Sequence, residues 1–142
     1  MARSPIPPHK LIPGTVVTVQ MKGLFALGHH FALVTHKKDA DGKPLVIANA
    51  SSTGGPAEQS WDKFVQGRPY RSFYPSNLPP RTVLYNAYSM TGTRYSFLHW
   101  NCEHFANACH GRPAQCHQIR GGLALAAVMG GLAVAALVSA SA

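Results

Sequence analysis

The chain is short of acids. Five Asp and Glu stand against thirteen Lys and Arg in 142 residues, a formal charge of +8. Paired-carboxylate chemistry therefore has little to draw on, and Asp39, Asp41, Glu58, Asp62 and Glu103 are all expected in polar turns or exposed contexts. No G-x-S-x-G is present, which removes the usual serine-hydrolase elbow. The Gly-Gly pairs lie in a loop or in the apolar tail, so no glycine loop is placed to cradle a phosphate. Nor is there a C-x2-4-C knuckle, so no structural zinc site, and no metal or other cofactor, is expected. No block of five or six basic residues, zinc finger, KH loop or aromatic RNP strand appears, which sets nucleic acid below a membrane surface as the anionic partner of so basic a chain. The N-terminus, MARSPIPPHK, is proline-rich rather than apolar. With an odd count of three cysteines, it predicts a reducing, cytosolic location for the main domain.

Long hydrophobic runs are equally scarce, with one exception. Residues 121–142 carry no charged side chain over 22 positions, the length a bilayer-spanning helix needs, and Arg120 precedes them. The segment is rich in Ala and Gly, which makes its hydrophobicity marginal. A membrane anchor is expected here, and a buried core helix or a tail that packs on a partner is the alternative. The division that follows is a flexible segment at 1–11, a domain at 12–118 and a hydrophobic segment at 119–142.

Within the domain, Thr15–Gln20 (TVVTVQ) has the β-branched content of a strand. His30–His36 and Pro44–Ala50 flank an Asp-Gly turn and predict an antiparallel hairpin. The stretch from Ser51 to Pro80 is rich in Ser, Gly and Pro and reads as a long connecting loop, with a short amphipathic piece at Trp61–Gln66. A helix is expected over Arg81–Met90. Another starts at Cys102, with Asn101 as N-cap and Gly111 as the residue that stops it.

That last helix begins NCEHF. A thiol in the first turn of a helix meets unpaired backbone N–H groups and the positive end of the dipole, which favour the thiolate. Cys102 is so placed, and it needs a base. His104 points about 200 degrees round the helix from it and His110 is two turns away, so neither serves. His30 opens the most strand-like run, where alternation puts His30, Ala32 and Val34 on one face and His29 and Phe31 on the other. Asn49, a polar residue inside the apolar run VIANA, is placed on the paired strand to orient an imidazole. Read alone, it is better explained as a strand-end turn residue. Cys109 and Cys116 are expected to be structural, since a free buried Cys is a small hydrophobe.

NCEHF at 101–105, with PGTVV at 13–17 and HFALV at 30–34 before it in the order His first and Cys last, resembles the lecithin:retinol acyltransferase-like (LRAT-like, H-box/NC) family. The resemblance covers roughly residues 12 to 111. It implies an α+β, circularly permuted papain-like fold, a small antiparallel sheet packed against helices. It also implies Cys102 as nucleophile, His30 as base and Asn49 at the family's third polar position. Several family members carry a C-terminal hydrophobic anchor, as the 121–142 segment would be. The expectation is cysteine-dependent acyl transfer or hydrolysis on lipid or other acyl esters through a thioester, at a membrane surface. A peptidase or amidase on the same dyad, and a binding protein that has kept the fold without turnover, are the alternatives.

Overall fold

β-branched residues dominate the first strand, and their burial explains its place at the heart of the molecule. The computed structural model describes residues 4–23 and 28–120. It shows an α+β fold around a five-stranded antiparallel sheet of order β4-β3-β2-β1-β5. The strands are β1 (Val16–Gln20), β2 (His29–Lys38), β3 (Pro44–Ala50), β4 (Gly55–Gln59) and β5 (Tyr70–Phe73). The helices are α1 (Trp61–Val65), α2 (Pro80–Ser89) and α3 (Cys102–Cys109).

The alternation read along β2 sorts the core into two layers. On one face Ala32 and Val34 join Val17, Val19, Val46 and Ala48 under Trp61, Phe64 and Val65 of α1. On the other, Leu33 joins Val16 and Ile47 under Val83, Leu84 and Ala87 of α2 and Phe105, Ala106 and Cys109 of α3. The helices thus press on both sides of the central strands, which is why β1 and β2 read as almost continuous apolar runs.

The hairpin forms where the Asp-Gly turn predicts it. Asp39 Oδ1 accepts from the N–H groups of Asp41 (2.9 Å) and Lys43 (3.0 Å), and Gly42 takes a positive φ of 78°. The helix beginning at Cys102 also starts as expected. Asn101 Oδ1 accepts from the N–H groups of Glu103 (3.0 Å) and His104 (3.2 Å), while His104 Nδ1 accepts in return from the Asn101 N–H (3.1 Å). This is a capping box with His in the place usually held by Glu or Gln.

Two expectations need correction. Ser51–Pro80 is not a long loop: it holds β4, α1 and β5. Gly and Pro in GPAEQ hide β4, but β4 is an edge strand, where Pro can stand without donating to a ladder. Gly55 is needed there for space, since a Cβ would come within 2.2 Å of the Thr93 carbonyl oxygen. The lead-in at 1–11 is also held in part. Pro8–Lys10 forms a 3-10 turn, Leu11 is buried, and the Tyr70 hydroxyl donates to the Ile6 carbonyl (2.6 Å). Among the described residues no helix is long and apolar enough to cross a membrane. The segment at 121–142, read as a hydrophobic helix and anchor, lies outside the described residues.

Candidate active site

At one end of the sheet the central strands part company. β2 stays paired with β1 down to His29, opposite Gln20, whereas its register with β3 runs through Lys38↔Pro44, Val34↔Val46 and Leu33↔Ile47. Beyond Ile47, β3 continues with β4, to Ala50↔Gly55. The start of α3 stands at this parting. The Cys102 thiol points at the His29 carbonyl oxygen (4.0 Å), and the Phe31 N–H is directed at the sulfur.

Asn49 explains why α3 starts here. It is fully buried on the α3 side of β3, and its Nδ2 donates to the carbonyls of Trp100 (2.8 Å) and Asn101 (3.1 Å). Its Oδ1 is buried and has no hydrogen-bond partner among the described residues. The amide hydrogens of Asn49 thus tie β3 to the turn that caps α3, and none is given to the His30 imidazole.

His30 lies on the other face, with Ala32 and Val34, its ring 5.1 Å from that of Phe64 in α1. Even so, His30, Asn49 and Cys102 all line one cavity of about 460 Å³, because it opens where β2 and β3 separate. Lys22, Arg68, Tyr95 and Phe97 complete much of its wall, and among the described residues no carboxylate lines it.

Arg68 is a residue the sequence hardly marks. Its guanidinium donates to three carbonyls, Val65 (2.9 Å), Phe64 (2.7 Å) and Gln20 (2.6 Å), joining the C-terminal end of α1 to the end of β1. Its charge is answered by dipoles rather than by an acid. Burial, with the Arg68 charge beside it, lowers the His30 pKa to about 4. Burial also pushes the Cys102 thiol up to about 11, aided by the nearby Cys116 and Glu103 and opposed by the Phe31 and Glu103 N–H groups. The free protein therefore holds a neutral imidazole and a neutral thiol.

Two other histidines have structural work. His104 caps α3, as above. His110 Nε2 donates to the Gly14 carbonyl (2.8 Å), so its Nδ1 is the acceptor for the Ser76 hydroxyl (2.7 Å). Cys109 is buried in the α2–α3 core, and burial raises its thiol pKa. Glu103 corrects the expectation of an exposed acid: it is buried and takes hydrogen bonds from residues 116–118. Nothing in its immediate sequence announces this, because its donors lie more than a dozen residues away. Asp39, Asp41 and Asp62 bring carboxylate oxygens within 4.8 Å of one another, with the Lys43 ammonium 2.8 Å from Asp62.

Comparison of the chain with family models, with curated proteins and with solved structures finds no match.

Proposed function

We propose that the chain is a cysteine-dependent acyltransferase or hydrolase of the LRAT-like, permuted papain-like class, acting on lipid or related acyl esters. The observation that carries this reading is the meeting of His30, Asn49 and Cys102 on one cavity, with Cys102 at the first position of a capped helix. In the proposed reaction the Cys102 sulfur attacks the ester carbonyl and the thiol proton passes to the neutral His30 imidazole. Collapse of the tetrahedral intermediate expels the alcohol, which takes that proton, and leaves a thioester. Water, an amine or an alcohol then attacks the thioester and gives its proton to His30, and the C–S bond breaks to release the acyl product and the Cys102 thiolate, which takes that proton back. Of the first-turn N–H groups, those of Glu103 and His104 are taken by Asn101 Oδ1 and that of Phe105 by the Asn101 carbonyl (3.0 Å). The Cys102 N–H is left as the donor to an oxyanion.

Lys22 and Arg68 at a cavity without carboxylates favour an ester that carries negative charge, such as a phospholipid, and Met21, Tyr95 and Phe97 offer apolar wall to an acyl chain. The basic charge and the apolar stretch at 121–142 are consistent with work at a membrane surface.

The test is intact mass spectrometry of the full chain with anionic and zwitterionic phospholipid vesicles and simple oxo- and thioesters, beside Cys102→Ala. An acyl adduct that requires Cys102 supports the reading. A folded protein with alkylatable Cys102, no adduct and no ester product rejects it. The amidase reading keeps the same dyad and has one observation in its favour: the backbone N–H and C=O of His29, next to Cys102, are paired with a side-chain carboxamide, that of Gln118, much as a peptide would be held.

A further inference from the structure

Glu103 is 5% exposed, alone among the chain's five acids in being buried. Its carboxylate accepts from the Cys116 thiol (3.1 Å), the N–H groups of His117 (3.1 Å) and Gln118 (3.5 Å), and Gln118 Nε2 (3.2 Å). All of these donors belong to three consecutive residues, so the segment after Pro113 is rooted on the first turn of α3, one residue from the candidate nucleophile. Gln118 then reaches on to β2. Its Oε1 accepts from the His29 N–H, and its Nε2 donates to the His29 carbonyl (3.0 Å). That carbonyl oxygen is the one at which the Cys102 thiol points. One carboxamide therefore joins the acid beside the nucleophile to the strand on which the nucleophile rests.

Covering an unpaired strand edge would by itself account for Gln118. It would not account for a buried carboxylate next to a thiol that has to lose a proton, which is an unfavourable placement unless the carboxylate serves the arrangement.

We propose that Glu103 and Gln118 are positioning residues for Cys102: they hold the segment at 116–118 across the β2 edge, pin the thiol against the His29 backbone, and keep a negative charge beside the sulfur. The proposal rests on Cys102 being the reacting thiol. Release of Gln118 uncovers the sulfur, and removal of the Glu103 charge eases its ionisation. Other groups near Cys102 are Cys116 on the same segment, Tyr95 before α3, and His30, Lys22 and Arg68 round the cavity; all stay in place in the variants below.

The experiment is alkylation of Cys102 in the full chain by neutral iodoacetamide and anionic iodoacetate from pH 7 to 10, localised by tandem mass spectrometry, with folding checked by circular dichroism. Gln118→Met keeps volume and loses both links to His29 and the one to Glu103. It should raise the rates with both reagents alike, by about tenfold, because three hydrogen bonds that oppose local opening are gone. Glu103→Gln should shift the pH profile down by about one unit, an increase of about tenfold in thiolate at a given pH, and raise iodoacetate over iodoacetamide several-fold. An acid whose charge does not reach the sulfur would change neither the profile nor the ratio of reagents. Wild-type rates in folded Gln118→Met, or an unmoved profile and ratio in folded Glu103→Gln, overturn the proposal. Should Glu103→Gln not fold, Gln118→Met decides alone. Alkylation needs no acyl donor, so this outcome is separate from whether Cys102 forms an acyl adduct.

Discussion

The two ends of the sheet are built in opposite ways. At the hairpin end β2 and β3 pair as far as Lys38↔Pro44, and Asp39, Asp41, Glu58 and Asp62 gather there, four of the chain's five acids. Lys43 bridges to Asp62 (2.8 Å), Lys37 to Glu58 (2.9 Å), and the Tyr88 hydroxyl donates to Glu58 (2.6 Å). At the far end the strands separate, the fifth acid is buried and occupied, and the cavity carries Lys22, Arg68 and His30 without a carboxylate. The cavity end thus holds cations without an acid, while the hairpin end pairs lysines with acids. The hairpin end closes a register with neutralising pairs. The cavity end keeps desolvated polar groups apart from such pairs, which is costly for folding and useful for binding and chemistry.

Removing groups at the cavity end should produce the largest effects. Cys102→Ala is expected to abolish acyl adduct formation. His30→Gln should slow it by at least about a hundredfold, the usual scale for a lost general base, as measured by burst-phase mass spectrometry. His30 should also show itself in stability. Its folded pKa lies near 4 against an ordinary 6.5, so between these values the unfolded chain takes up a proton that the folded chain does not. Stability present above pH 6.5 is lost as pH falls toward 4, by about 3 kcal/mol, and urea titrations of His30→Gln should lose that slope.

Asn49→Leu keeps the volume but leaves the carbonyls of Trp100 and Asn101 without their donor. A loss of about 2–3 kcal/mol in chemical denaturation is expected. Arg68→Met should lower the rate on anionic esters several-fold relative to neutral ones. With that charge gone, the His30 pKa rises, so the acid limb of the rate profile moves to higher pH. The smallest effect belongs to the hairpin end: Lys43→Ala removes an exposed pair and should leave activity unchanged and stability within experimental scatter. A Lys43→Ala effect as large as that of Asn49→Leu would erase the contrast between the two ends.

Much of the central architecture follows from local pattern alone. β-branched runs make β1, β2 and β3. Period-two alternation puts His30 with Ala32 and Val34, and an Asp-Gly turn joins the hairpin. Asn101 before Cys102 and Gly111, with φ of 66°, just past the helix mark the ends of α3, because capping depends on neighbours in the chain.

What these residues meet was decided elsewhere. β4 and β5 exist because β3 and β1 offer them ladders, while their own Gly, Pro and polar content speaks for turns. Asn49 stands where alternation places it, yet its donors go to the α3 cap and not to His30. Arg68, Glu103 and Gln118 took their roles from partners distant in sequence, and the shared cavity depends on β2 and β3 parting after Leu33 and Ile47. Strand content, face and helix ends are properties of a few adjacent residues. Strand-edge pairing, the burial of a charge and the meeting of two opposite faces at one cavity are set by groups that only the folded chain brings within reach.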